Sequence, residues 1–240
     1  MRADQYLTAH GHYDSRARAQ AAIKAGLVSV DGRVIKKPSE KIADGALVNA
    51  GIEHPWVSRG GVKLAHALEF FEVNPTGRTA LDVGASTGGF SHVLVMRGAA
   101  KVYAVDVGHG QLHASLHSQT KIISMEGQDA RTLTAAQFNP LPDLIVCDAS
   151  FISATKVLET PMRLAPQRAD LITLVKPQFE VGKHNIGRGG LVKSEELGLR
   201  ALDSVRLWTQ EQGWRVIATD ASPIKGGSGN TEYLLHAIKD

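Results

Sequence analysis

Four charged residues stand far apart in the chain, each at a place where an α/β fold delivers side chains to one cleft: Lys63, Asp148, Lys176 and Glu232. Lys63 sits where a helix begins, in Ser58-Arg59-Gly60-Gly61-Val62-Lys63-Leu64. Asp148 closes the apolar run Leu144-Ile145-Val146-Cys147, and Lys176 closes Leu171-Ile172-Thr173-Leu174-Val175 just before Pro177. Glu232 follows the glycine-rich turn Gly226-Gly227-Ser228-Gly229-Asn230-Thr231. Two amines and two carboxylates converging in this way could orient a weakly acidic hydroxyl and remove its proton. Lys176 is the candidate base, because a lysine that ends a buried strand and precedes a proline is hard to read as a surface charge. It can accept a proton only as the neutral amine, a state that a neighbouring cation favours and neighbouring carboxylates oppose. Asp148 then orients Lys176 or the hydroxyl, and Lys63 stabilises the developing alkoxide.

The elements that must position these groups follow from hydrophobic periodicity. A helix is expected over 61–72, with Leu64, Leu68 and Phe71 on one face. Strands are expected at 79–83 and 101–106, and nearly all-apolar ones at 121–125, 143–148 and 170–176, as happens when both sheet faces are covered. Helices are expected at 89–97, 109–117 and 194–212, and a final pair of strands at 214–220 and 232–239. Alternation of this kind implies a mostly parallel sheet with ligands at the carboxyl ends of its strands.

Those strand ends carry a second set of candidates. Leu81-Asp82-Val83-Gly84-Ala85-Ser86-Thr87-Gly88-Gly89-Phe90 joins the first strand to its helix, and its small residues let a ligand approach the backbone and the helix N-terminus. The spacing is not Gly-x-Gly-x-x-Gly, and the acidic Asp82 disfavours a pyrophosphate beside it. Asp106, followed by Val107, ends the second strand, where a carboxylate can accept from both hydroxyls of a ribose. Asp129, followed by Ala130, lies after the third strand and could accept from an adenine amino group. A glycine loop followed by acids at successive strand ends points to a nucleoside cofactor.

Composition sets the limits. The chain has 240 residues, 43% of them hydrophobic, enough for one large domain or a large and a small one. A net charge of +3 and a pI near 9.0 permit a polyanionic partner without requiring one. Cys147 is the single cysteine, which excludes an internal disulfide or a multi-cysteine zinc site and suits a reducing compartment. No apolar run reaches the roughly 20 residues of a membrane span, and the first residues are polar where a signal peptide would be apolar. The expectation is a cytoplasmic protein with no membrane partner.

The first fifty residues read as a separate small α+β unit. Helices are expected at 3–10 and 15–25, with Asp14 or Ser15 as cap of the second and Gly26 as its stop. A hairpin turning at Asp31-Gly32 follows, then a strand at 46–50. The segments Met1-Arg2-Ala3-Asp4-Gln5-Tyr6-Leu7 and Ser15-Arg16-Ala17-Arg18 through Lys24-Ala25-Gly26-Leu27-Val28-Ser29-Val30-Asp31-Gly32 closely resemble an S4 RNA-binding domain. That resemblance implies RNA contacts from Arg16, Arg18 and Lys24, with Arg2, Lys36 and Lys37 nearby; such contacts would be largely to phosphates.

The rest of the chain resembles the FtsJ-like family of RNA 2′-O-methyltransferases, and its glycine loop resembles motif I of S-adenosylmethionine (SAM) dependent methyltransferases. The combination with Lys176-Pro177-Gln178-Phe179-Glu180 and Ser222-Pro223-Ile224 resembles the hemolysin A/TlyA family over essentially the full chain. The resemblance implies a Rossmann-like class I methyltransferase fold at 59–240, joined through a link at 53–58 to an S4-like unit at 1–52. It implies SAM as cofactor, held by Asp82, Gly84, Ala85, Ser86, Gly88, Gly89, Phe90, Asp106, Val107, Asp129 and Ala130. It further implies methylation of a ribose 2′-hydroxyl in ribosomal RNA, a cytidine in family members, with Lys63, Asp148, Lys176 and Glu232 as the catalytic set and Arg59 on the RNA side. The partner is then ribosomal RNA or a ribosomal subunit.

Other patterns carry less. His109, His113 and His117 share a helical spacing but lack an acid or cysteine to complete a metal site. Cys147 lies inside an apolar strand, as a packing residue rather than a nucleophile. The basic, glycine-rich 183–190 segment reads equally as a flap over RNA or as an ordinary loop. Two further functions compete: a non-catalytic ribosome assembly factor on a retired methyltransferase fold, and a membrane-active hemolysin. The intact set of four argues against the first, and the lack of a cationic membrane helix against the second.

Overall fold

Ser15 starts the second helix of the chain by accepting the Arg18 backbone N–H on its Oγ at 3.3 Å, so the capping signal written in the sequence is the one used. The computed structural model describes residues 1–51 and 54–240. Ile52 and Glu53, where the expected first unit ends and the link begins, lie outside the described residues. The chain falls into two compact units, Met1–Pro55 and Trp56–Asp240.

In the first unit, helices α1 (Ala3–Ala9) and α2 (Arg16–Lys24) pack beside strands β1 (Val28–Val30), β2 (Arg33–Val34) and β3 (Val48–Ala50), antiparallel in the order β2-β1-β3. Asp31 and Gly32 both take positive φ, 50° and 79°, as the tight hairpin turn demands. Leu7, Ile23, Val28, Ile35 and Ile42 fill its small core.

The second unit is built on a seven-stranded sheet. Its elements are α3 (Gly60–Phe70), β4 (Thr79–Val83), α4 (Gly89–Met96), β5 (Lys101–Asp106), β6 (Ile122–Glu126), β7 (Leu144–Cys147), α5 (Ala154–Leu164), β8 (Ala169–Val175), α6 (Pro177–Glu180), α7 (Glu195–Glu211), β9 (Arg215–Ala221) and β10 (Tyr233–Lys239). The strand order is β6-β5-β4-β7-β8-β10-β9, parallel from β6 to β8, with β10 antiparallel to both of its neighbours. Alternate strand residues serve opposite layers. Leu81, Val83, Ile145 and Leu171 pack with Leu158 of α5 and Val205 of α7, while Ala80, Val146 and Ile172 pack with Leu64 of α3 and Leu94 of α4. Helices therefore cover both faces, which is why the central strands are apolar throughout. The chain leaves β4 toward β5 on one side and returns to pair β7 on the other. The crevice at the carboxyl ends of β4 and β7 is thus a topological switch point.

Two local expectations differ from the structure, and one helix is not among those expected. Residues 109–117 are not a helix but a loop with one short 3-10 turn, Ala114–Leu116. The Glu126 carboxylate accepts the backbone N–H groups of Gly110, Gln111 and Leu112, holding them out of a helical ladder, so the three histidines share no helix face. Strand β6 is an edge strand with Ile123 and Ser124 exposed, not covered on both faces. Helix α5 has no clear sequence signal because Pro161 sits inside it, yet its Val157, Leu158 and Met162 are buried.

Candidate active site

Adjacent strands bring the four charged residues to the same end of the sheet. Asp148 follows β7, Lys176 follows β8 as the residue before α6, and Glu232 precedes β10, whose Tyr233 pairs with Val175. Lys63 enters from the first turn of α3. Its Nζ lies 2.6 Å from Glu232 Oε2 and 3.7 Å from Asp148 Oδ2. On the other side of Asp148, Lys176 Nζ stands 2.6 Å from Oδ1, while its aligned hydrogen bonds go to the Asp148 carbonyl at 3.1 Å and to Ser150 Oγ at 2.8 Å. The contacts run without a break as Glu232–Lys63–Asp148–Lys176. Lys63 and Lys176 are each 7% exposed and Glu232 2%, so the pairing is what makes the burial of these charges tolerable.

Lys63, Asp148, Ser150 and Lys176 line a cavity of about 320 Å³ together with Ser58, Arg59 and the glycine loop; Glu232 stands behind Lys63 and does not line it. A second cavity, of about 600 Å³, shares Gly84, Ser86, Asp148 and Ser150 with the first and extends along Val105, Asp106, Val107, Asp129 and Ala130. Both lie within the size range of small-molecule sites.

The loop after β4 shapes the junction. Gly84 has φ +80°, and a Cβ there would come within 2.9 Å of Ala149 Cα, so only glycine lets this loop lie against the segment after β7. Gly88, at φ +86°, caps α4. Ala85, Ser86, Gly89 and Phe90 line the first cavity; Gly88 lines neither. Asp106 accepts the Ser86 N–H at 2.8 Å and the Gly108 N–H at 2.7 Å, one on each oxygen, and still faces the larger cavity with lone pairs to spare.

Two acids are placed differently from the rest. Asp82 is fully buried and lines no cavity; its Oδ2 accepts both the N–H and the hydroxyl of Ser91 in the first turn of α4. Burial pushes its carboxyl up to about 7 against those two hydrogen bonds. Asp129 reaches the cavity wall, but Arg131 engages both of its oxygens, at 3.0 and 2.6 Å, and holds it below the usual carboxylate range. Together the joined cavities, the ribose-type acceptor at Asp106 and the close approach at Gly84 fit a nucleoside cofactor of the size of SAM.

Several residues around these cavities carry no spacing signal in the sequence. Ser150 is one. Phe151 is another: it adopts φ 67°, is 92% exposed, and its ring centroid lies 5.4 Å from that of Phe179. It lines the larger cavity and a neighbouring one of about 410 Å³ that also presents Lys156 and Lys183. Phe151 thus combines a positive φ, which costs a non-glycine residue free energy, with almost complete exposure of its ring. The 183–190 segment folds into short 3-10 turns, and Asn230 ties its end to the glycine turn by donating to Gly190 O and accepting from Val192 N.

The basic residues of the first unit lie on α2 (Arg16, Arg18, Lys24), at the N-terminal boundary of α1 (Arg2) and after β2 (Lys36, Lys37), all exposed except the half-buried Arg18. Arg59 lies in the second unit, at the start of α3, donating to Lys225 O at 2.6 Å. Among the described residues no group of three or more acids, histidines or cysteines could hold a metal ion, and no helix is long and apolar enough to cross a membrane.

Comparison with known proteins places both units in known families. The FtsJ-like methyltransferase family matches residues 56–239, and the S4 domain family matches residues 1–48. The chain is 44% identical to the 16S/23S rRNA (cytidine-2′-O)-methyltransferase TlyA of Mycobacterium tuberculosis, over 98% of this chain and 88% of that one. It is 37% identical to hemolysin A of Brachyspira hyodysenteriae, over 99% of this chain and 100% of the relative. A solved structure described as a hemolysin from Streptococcus thermophilus superposes with a TM-score of 0.79 at 37% identity, covering 100% of this chain and 89% of the other.

Proposed function

As the chain belongs to the FtsJ-like methyltransferase family and carries an S4 domain ahead of it, we propose that it methylates a ribose 2′-hydroxyl, that of a cytidine in ribosomal RNA. The observation that carries this reading is the unbroken contact chain Glu232–Lys63–Asp148–Lys176, opening on a cavity that joins the glycine loop. The substrate follows from the Mycobacterium relative, whose name specifies that reaction and whose identity of 44% extends over nearly the whole chain. We assign RNA binding to 1–52, a link to 53–58 and catalysis to 59–240, in a protein working in the cytoplasm on ribosomal RNA or a ribosomal subunit.

SAM, when bound, supplies an already activated methyl group, so the work left to the protein is alignment and removal of one proton. Asp106 would accept from ribose hydroxyls of the cofactor, and Gly84, Ala85 and Ser86, which line the cavities, would leave room for it against the backbone. Lys176 Nζ takes the proton of the RNA hydroxyl, having first given up one of its own to the Asp148 carboxylate beside it. Asp148 and Ser150 fix that nitrogen. Lys63, anchored by Glu232, faces the cavity and stabilises the negative charge that develops on the ribose oxygen. Phe151 offers its exposed face to a nucleobase, since a base must leave its stack for its ribose to enter such a cleft.

Titration calorimetry with SAM, followed by primer-extension mapping of ribose methylation on ribosomal RNA from cells with and without the gene, tests the proposal. We expect binding of SAM and at least one cytidine whose 2′-O-methyl mark depends on the gene. Binding of SAM with identical methylation maps would sink the substrate assignment; failure to bind SAM would favour a non-catalytic assembly role.

A further inference from the structure

Asp4 has no exposed surface, yet it is in contact with two exposed arginines, Arg2 and Arg16. Five donors converge on its two oxygens. Oδ1 accepts from Arg2 Nε at 3.0 Å and from the Gln5 backbone N–H at 3.1 Å. Oδ2 accepts from Arg2 Nη2 at 3.3 Å, Arg16 Nη2 at 2.9 Å and Gln20 Nε2 at 2.8 Å. The side chains of Arg2 and Arg16 nevertheless stay 45% and 54% exposed, so one edge of each guanidinium is held by the carboxylate and the rest faces outward. A guanidinium carries five N–H donors in a fixed fork; two of Arg2 and one of Arg16 are spent on Asp4. The remaining donors, on two arginines tied to one carboxylate, suit the oxygens of a phosphodiester.

We propose that Asp4 is a positioning residue that locks Arg2, Arg16 and Gln20 into a single phosphodiester-binding cluster on the S4 unit. The proposal rests on the reading of residues 1–52 as RNA-binding, and goes beyond it by making a buried anion a requirement for binding a polyanion. Long, exposed arginines ordinarily lose rotamer freedom when they bind. Here Asp4 has already ordered them, so a phosphate meets a preformed site. The hydrogen bonds from Arg2 and then Arg16 hold the Asp4 carboxyl well below the usual carboxylate range in spite of its burial, so the clamp is anionic at any physiological pH. Net charge remains favourable, because two cations share one anion. Arg18 differs in kind: its partner Asp14 is an exposed residue of its own surface.

Position and bare charge make opposite predictions for Asp4→Asn. Removal of an anion raises net positive charge, so simple electrostatics requires tighter RNA binding. Loss of the clamp requires weaker binding. Affinity of the full chain for purified small and large ribosomal subunits should be measured across a salt series for the wild type, Asp4→Asn, the double variant Arg2→Ala/Arg16→Ala, and the triple variant. We expect Asp4→Asn to bind roughly tenfold more weakly with a salt slope shallower by about 1, as for a lost phosphate contact. In the triple variant it should add nothing to the loss in the double variant, because Asp4 acts only through those arginines; a merely structural role would still add. Unchanged calorimetric binding of SAM would show the catalytic unit intact in every variant. Wild-type or tighter binding by Asp4→Asn, with a weakened arginine double variant, overturns the proposal alone. Wild-type binding by the double variant overturns both the proposal and the RNA-binding reading beneath it. If Asp4→Asn does not fold, nuclear magnetic resonance of the wild type decides: a slowly exchanging Arg2 Nε–H signal at neutral pH is required, and its absence overturns the clamp.

Discussion

Lys63 Nζ and Glu232 Oε2 are 2.6 Å apart across 169 residues of sequence, and both side chains are almost wholly withdrawn from water. Such a pair adds little stability over an apolar replacement, because desolvation of both ions offsets their attraction. Its value lies in direction. Glu232 fixes Lys63 from behind, so the lysine's open side is turned to Asp148 and the cavity.

That geometry separates stability from catalysis. Glu232→Gln leaves the buried Lys63 with only the more distant Asp148 carboxylate, 3.7 Å away, and should cost up to about 3 kcal/mol in stability as well as most of the methyl transfer. The double replacement Lys63→Met/Glu232→Leu removes both charges and should recover much of the stability while remaining inactive. Urea denaturation and transfer of a radiolabelled methyl group to ribosomal RNA measure the two properties independently. If the double variant regains activity with its stability, the pair is structural and has no part in the reaction.

Lys176→Ala deletes the proposed base but leaves the glycine loop and Asp106 untouched. Calorimetric affinity for SAM should stay within a few-fold of wild type, while turnover falls by about 10²–10⁴, the usual share of general base catalysis. A turnover close to wild type would remove Lys176 from the mechanism. Glutamine at this position is a useful companion, since it keeps a donor to Ser150 without being able to accept a proton.

Phe151→Ala probes the substrate side. The ring is 92% exposed, so its loss should leave the melting temperature unchanged. A stacked base is worth about 1–3 kcal/mol, so KM for RNA should rise by about 5- to 150-fold while SAM binding holds. Phe151→Trp should retain function, since it preserves a stacking face. A tryptophan variant as impaired as alanine would mean that the position needs phenylalanine's shape and not a π surface.

The sequence made the central strands legible because burial on both faces leaves an uninterrupted apolar run, and Asp148 and Lys176 stand out as the first charges after two such runs. The antiparallel pair β9 and β10 was equally readable. Long-range pairing was not: nothing local in Ser58–Leu64 or in the glycine turn before Glu232 says that Lys63 and Glu232 touch. The histidine spacing at 109–117 suggested a helix because the competing partner, the Glu126 carboxylate, lies on another strand. Pro161 masked α5 for the opposite reason, a local breaker overridden by packing. Phe151 left no trace at all, since neither a positive φ nor full exposure has a periodicity.

Asp82 supplies a test that depends only on pH. Burial raises its carboxyl to about 7, well above the value of about 3.9 in an unfolded chain. Between those two values the native state holds a proton that the unfolded chain has lost, so this group's contribution to stability is fully present below about pH 4 and is lost as pH rises through about 7. Asp82→Asn cannot titrate, and its amide oxygen can still accept from Ser91. The variant should therefore gain on wild type as pH rises from 4 to 8, approximately, in matched urea denaturation curves, other titrating groups being common to both proteins. The reverse trend, wild type gaining on the variant with rising pH, would show that Asp82 is ionised in the fold and that its bonds to the first turn of α4 outweigh the cost of its burial.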